Sequence, residues 1–205
     1  MPTPLVFGVE VEILLNLLRK PQDGFPDSKD LDTLAIILIP HFNEKTKGEY
    51  KMLSDIDGCY EGKNQHLHWS ITDDSTIIPQ KANQYPTEIV SPVLNYGDEG
   101  WKGEIEELFR SINFICVTDS NQSCSTHIHI SPGLGIEWEL ENLKRLCRAI
   151  IWFEPAFEVL VPRGRWQNEY AKSNRYDNPD SKARRLQNAW PSLTHATQTP
   201  QLQHF

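Results

Sequence analysis

Apolar and polar residues alternate from about Leu5 to Leu18, with Val9, Val11 and Ile13 on one set of positions and Glu10 and Glu12 on the other. Residues i and i+2 of a strand share a face, so this stretch predicts a strand with an apolar underside and carboxylates on top, with a break expected near Asn16. Pro21, Gly24, Pro26 and Asp27 then mark a loop. Leu31, Leu34, Ile37 and Leu38 recur at helical spacing behind the possible caps Ser28 and Asp30, and Pro40 is expected to close the helix. Leu67, Trp69 and Ile71 alternate with His68, Ser70 and Thr72, predicting a second strand that ends at Asp73 and Asp74. Thr87-Glu-Ile-Val-Ser91 predicts a third, stopped by Pro92.

The second half reads similarly. Ile105, Leu108, Phe109 and Ile112 form a helical stripe, preceded by Asp98, Glu99 and Glu104 where acids suit the macrodipole. Phe114 to Thr118 predicts a short strand, and Ser125-Thr-His-Ile-His-Ile130 another, with His127 and His129 opposite Ile128 and Ile130. A longer stripe, Leu140, Leu143, Leu146, Cys147, Ile150 and Ile151, predicts a helix disturbed at Pro155. Beyond Pro162 the chain turns polar, and 191–205 carries no charged residue. Strands interspersed with helices, without strict alternation, predict an α+β fold with a largely antiparallel sheet and helices on one face. The division expected is a catalytic domain over 1–174 and a polar segment over 175–205 that is disordered or a truncated continuation.

Composition narrows the function. The 205 residues leave ample length for a core, and 39% hydrophobic content with 14 prolines indicates a loop-rich globular chain. A net charge of −8 disfavours nucleic-acid binding, although a polyphosphate remains accessible if divalent cations intervene. Cys59, Cys116, Cys124 and Cys147 have no zinc-ribbon rhythm and read as free thiols. Without an apolar signal core, and with 13–18 too short to span a bilayer, a reducing cytoplasm and no membrane are expected.

The chemistry collects at the strands. Glu10, Glu12, Asp74, Glu88, His127 and His129 each fall on a predicted strand or just past its end. If those strands are neighbours, their polar faces converge on a cluster suited to magnesium or, with imidazole present, manganese. Several carboxylates so close together repel unless a cation neutralises them. Taken singly, each motif has a plainer reading: Glu-x-Glu as a wet sheet face, Asp73-Asp74-Ser75 as a turn, and Glu88 as a strand-edge carboxylate. Arg163 and Arg165 could simply stack on Trp166, while His66 and His68 flank a core Trp69.

Five segments in order resemble the amidoligase family of the carboxylate–amine ligase superfamily, which includes glutamine synthetase and glutamate–cysteine ligase. They are Phe7-Gly-Val-Glu-Val-Glu12, Trp69-Ser-Ile-Thr-Asp-Asp-Ser75, Glu88-Ile-Val-Ser-Pro-Val-Leu94, Cys124-Ser-Thr-His-Ile-His129 and Pro162-Arg-Gly-Arg-Trp-Gln-Asn-Glu-Tyr-Ala-Lys-Ser-Asn174. The resemblance implies a curved antiparallel sheet lining a funnel, with ATP and Mg2+ or Mn2+ as cofactors. It further implies that a small-molecule or peptide carboxylate is phosphorylated to an acyl phosphate, which an amine attacks to form an amide. By that likeness Glu10, Glu12, Glu88 and His127 hold metal, and His129 faces the phosphates. Arg165 stabilises transferring charge with help from Asn168 and Tyr170, and Asp74 helps bind the amine. Oligomeric state is not implied.

The resemblance departs at two places. Ser125 stands where the family has glycine, and no later segment has the Thr-Ile-Glu-Phe-Arg character that family members carry, so one wall of the funnel is expected to be lacking. A catalytically inactive, truncated ligase-like binding module is therefore an alternative. A metal-dependent hydrolase or oxygenase built on His127, His129 and one carboxylate is a third reading.

Overall fold

The computed structural model describes residues 5–18, 31–47, 50–58, 65–165, 168 and 171–174. Strand β1, Val6–Leu17, is the hub of the sheet and runs without the break expected at Asn16. On one edge it pairs antiparallel with β4 (Tyr85–Val90) and then, at Val6 and Phe7, with β5 (Leu94–Asn95). On the other edge it pairs antiparallel with β6 (Cys116–Asp119) along 14–17 and with β7 (Thr126–Ser131) along 6–11. Beyond β4 lie β3 (Trp69–Thr72), antiparallel, and β2 (Met52–Ser54), parallel to β3. The fold is α+β with a mostly antiparallel sheet, as expected, and the described residues form an open sheet of seven strands.

Each edge of β1 is met by a strand interrupted once. Between β4 and β5 the ladder continues through Ser91, whose N–H donates to the Val9 carbonyl at 2.8 Å while its Oγ accepts the Val9 N–H at 2.8 Å. Pro92, which has no N–H to offer, can follow without leaving Val9 unpaired. Pro86 lies inside β4, but β3 pairs with β4 only along 88–90, so no ladder bond from β3 is lost there.

The apolar face of β1 is covered by α1 (Leu31–Lys45) and α2 (Gly100–Ile115). Ile13, Leu15, Leu34, Leu38, Phe42, Trp69, Ile71, Ile89, Leu108 and Ile112 form the buried core between them. Helix α1 continues through Pro40 rather than stopping there. An interior proline costs about 3 kcal/mol. Here it stands on the exposed side, while the next turn buries Phe42 completely and returns a comparable amount, about 1.5–3 kcal/mol. The same turn makes β2: Asn43 Nδ2 donates to the Met52 carbonyl at 3.1 Å and Asn43 Oδ1 accepts the Met52 N–H at 2.7 Å. A side chain thus takes the place of a neighbouring strand.

Two compact units divide the chain, Met1–Trp138 and Glu139–Phe205. The sheet, α1 and α2 belong to the first. The second contains α3 (Leu140–Glu158), which passes through Pro155, and a 3-10 turn, Arg163–Arg165. Within it the Glu154 carboxylate accepts the Ser173 hydroxyl at 3.0 Å and the Asn174 N–H at 2.6 Å, tying the returning chain to α3. The loop expected around 21–29, the proposed caps Ser28 and Asp30, Cys59, Trp166, Tyr170 and the segment 175–205 lie outside the described residues.

Candidate metal centre

The register of β1 with its neighbours determines which side chains meet. Directly opposed residues of antiparallel strands point to the same face. Glu10 lies opposite His127, Gly8 opposite His129, and Glu12 opposite Glu88. All belong to the face away from α1 and α2, because the alternate residues Val11 and Ile13 turn towards the helices. Gly8 leaves open floor beside the imidazoles, with the nearest non-neighbouring atom to a notional Cβ, Ser91 Oγ, 3.9 Å away.

Glu10 is the focus of the cluster. Its Oε2 lies 3.1 Å from His129 Nε2 and 3.3 Å from His127 Nδ1. One ligand atom from each of Glu10, His127 and His129 lies within 4.8 Å of the others, a group that could hold a metal ion. Glu12 stands on the far side of the His127 ring, its Oε1 3.4 Å from Nε2, and its side chain is only 6% exposed. Glu88 is half-buried, and its carboxyl is pushed above the usual carboxylate range, first by burial and then by the charges of Glu10, Asp74 and Glu12. His127 offsets part of that rise. The neighbourhood is therefore a concentration of negative charge that bears on Glu88.

Asp74 sits just beyond β3 in a turn, with Thr76 N–H donating to its Oδ1 at 2.7 Å. The plainer reading of Asp73-Asp74-Ser75 as a turn is thus correct locally, and the carboxylate still reaches Glu88 electrostatically. Arg165 and Asn168 lie in the second unit, where the Arg165 N–H donates to the Pro162 carbonyl at 2.8 Å and the Asn168 N–H to the Arg165 carbonyl at 2.9 Å. Trp69 is buried and donates from Nε1 to Glu104 at 3.4 Å. Cys124 is buried with Leu14 and Ile77, in line with a structural part.

One contact was not visible in the sequence. Ser125 Oγ donates to Glu12 Oε2 at 2.6 Å and lies 2.7 Å from His127 Nε2. Its backbone is held by the Glu12 N–H, which donates to the Ser125 carbonyl at 2.9 Å. The preceding loop is anchored as well: Asn121 Nδ2 donates to the Ile78 carbonyl at 2.7 Å, and Ser123 Oγ accepts the Ile78 N–H at 2.8 Å. Only the i, i+2 spacing of Ser125 and His127 could have signalled this placement.

A family model described as "Putative amidoligase enzyme" matches residues 3–199, nearly the whole chain and including every strand and helix above. The chain belongs to the amidoligase family. A ligase-type function follows from that membership. In this member of the family the strands that carry the Glu-x-Glu and His-x-His motifs are direct neighbours. No curated protein and no solved structure matches the chain. Among the described residues no helix is long and apolar enough to cross a membrane.

Proposed function

We propose that the protein is an ATP-dependent ligase that forms an amide bond between a carboxylate and an amine through an acyl phosphate, with a divalent cation at Glu10, His127 and His129. The observation that carries this reading is the meeting of those three side chains on the polar face of the sheet in a chain of the amidoligase family. One carboxylate oxygen and two imidazole nitrogens fit manganese well, whereas magnesium prefers oxygen ligands and would draw on the neighbouring Glu12 and Glu88. A bound cation would neutralise phosphate charge during transfer.

The chain's own residues divide the remaining work. Glu88 and Asp74 extend the negative field from the cation site, and Asp74 is suited to attract an ammonium group before it loses a proton. Arg165, with Asn168 and Tyr170, is assigned to charge developing on the transferred phosphoryl group. The substrates are a small-molecule or peptide acid and an amine. Nucleic acid is disfavoured by the net charge of −8. The buried Cys116 and Cys124, which read as thiols and not as a disulfide framework, support a reducing compartment such as the cytoplasm.

Calorimetric titration of ATP with and without Mg2+ or Mn2+, on the wild type and on Glu10→Ala, tests the reading. Cation-dependent ATP binding that is lost in the variant is the expected result; no cation dependence in the wild type overturns it. A second reading is favoured by the donor set itself, since two histidines and one carboxylate also serve non-haem iron oxygenases. Metal analysis that finds one tightly held iron or zinc, with no ATP binding, would select a metal-dependent hydrolase or oxygenase instead.

A further inference from the structure

We propose that Ser125 is a positioning residue that selects the tautomer of His127, so that Nδ1 of that ring, not Nε2, faces the cation site. The proposal rests on the reading of Glu10, His127 and His129 as that site, and it separates Glu12 from Glu10 in role.

The argument is a count of hydrogens. A serine hydroxyl has one hydrogen and can also accept, whereas an ionised carboxylate only accepts. Ser125 Oγ is 2.6 Å from Glu12 Oε2, so its hydrogen goes to Glu12. The same oxygen is 2.7 Å from His127 Nε2, and it can meet that nitrogen only as an acceptor. Nε2 therefore carries a hydrogen. Glu12 Oε1, at 3.4 Å from Nε2, favours the same assignment.

A ring that binds a cation is neutral and has one N–H, so with that hydrogen on Nε2 the lone pair is left on Nδ1. That lone pair lies 3.3 Å from Glu10 Oε2, itself an acceptor. Both atoms can then serve as ligands to a cation held between them, in place of the hydrogen bond that their separation otherwise allows. The chain from His127 Nε2–H to Ser125 to Glu12 is the kind of outer hydrogen bonding that orients a metal-binding histidine. Glu10 touches both histidines, while Glu12 acts on His127 through a hydroxyl. Backbone placement favours permanence: Ser125 is pinned opposite Glu12 by the ladder bond at 2.9 Å.

The test reads the tautomer directly by long-range 15N–1H NMR of the histidine side chains, on the full metal-free chain, at a pH high enough to leave the rings neutral. The wild type should show His127 with its hydrogen on Nε2. Ser125→Ala should shift population from that tautomer towards Nδ1–H, where Glu10 accepts, because Glu12 Oε1 at 3.4 Å is the weaker acceptor left at Nε2. A wild-type ring with its hydrogen on Nδ1, a ring still doubly protonated, or a tautomer unchanged in Ser125→Ala would each overturn the proposal. In parallel, Mn2+ affinity should fall about 10-fold or more in Ser125→Ala and recover in Ser125→Thr, with the melting temperature of the metal-free protein nearly unchanged. Equal Mn2+ affinity in the wild type and Ser125→Ala counts against it. A wild type that binds no Mn2+ overturns the underlying cation reading instead. The two failures are distinguishable because the tautomer is read without metal.

Discussion

Replacing Glu88 with glutamine should move the stability of the cation-free protein and the response to cation in opposite directions. Burial first, and then the charges of Glu10, Asp74 and Glu12, raise the Glu88 carboxyl, and Glu88 stands directly opposite Glu12 across the β1–β4 pair. Like charges directly opposed on neighbouring strands cost up to about 1 kcal/mol. The nearly isosteric Glu88→Gln removes that repulsion and leaves the backbone pairing intact. For a chain of this size, about 1 kcal/mol corresponds to a rise of about 2–4 °C in melting temperature. Cation should do more for the wild type: at 100 times its dissociation constant a ligand stabilises by about 2.7 kcal/mol, or about 5–10 °C. A tenfold weaker cation in the variant removes about 1.4 kcal/mol of that gain at the same concentration. Differential scanning calorimetry after chelation, followed by addition of Mn2+, reads both effects. A lower melting temperature for chelated Glu88→Gln, or an undiminished Mn2+ response, would refute the argument that Glu88 is a strained member of the cluster.

Three further outcomes follow from the same geometry. Because the Glu88 carboxyl is raised, its ionisation weakens the folded state, so the chelated wild type should gain stability as pH falls from neutrality towards the ordinary carboxylate value; Glu88→Gln should lose that slope. Denaturant midpoints across that range measure it. Phe42→Ala, in a fully buried site, should cost about 3–5 kcal/mol in urea unfolding. Burial pushes the Cys116 thiol up to about 12, so it should resist a thiol-titrating reagent in the folded protein while the exposed Cys147 reacts.

Period-two alternation made β1 and β7 readable, because one face of each strand needs apolar side chains and the other does not. That pattern located Glu10, Glu12, His127 and His129 on faces, but it could not say which residue meets which. Pairing register supplies that information, and it put Glu12 against Glu88 and left Glu10 alone between two imidazoles. Strand β2 was invisible because Met52–Ser54 is too short to show a period and is held by the Asn43 side chain. Helix α1 outran its expected end because the packing of Phe42 offsets the local cost of Pro40. Helix α3 passes through Pro155, where a disturbance was expected, with no buried residue to account for it. The stripe on α3 was correctly located, yet none of its residues is buried, since a hydrophobic pattern predicts a face and not what covers it. Ser125 was legible as the start of the His-x-His strand and as a departure from the family's glycine, but its partner, Glu12, follows only from the pairing of the two strands.

The change of partner along one edge of β1 explains why the cluster forms where it does. From 14 to 17 β1 pairs with β6, and from 6 to 11 with β7. Between those stretches the chain leaves the sheet at 120–124 and re-enters at Ser125, beside Glu12. A single uninterrupted strand could keep the same alternation, but its side chains would then be set by one register throughout. The interruption lets β7 choose its own register, and the choice matters: a slip of one residue would turn His127 and His129 to the opposite face with Ile128 and Ile130. Anchoring of Asn121 and Ser123 to Ile78 holds the re-entry point from outside the sheet. The loop therefore acts as a register lock for the histidines, and Ser125 is the residue at which that lock meets the carboxylates.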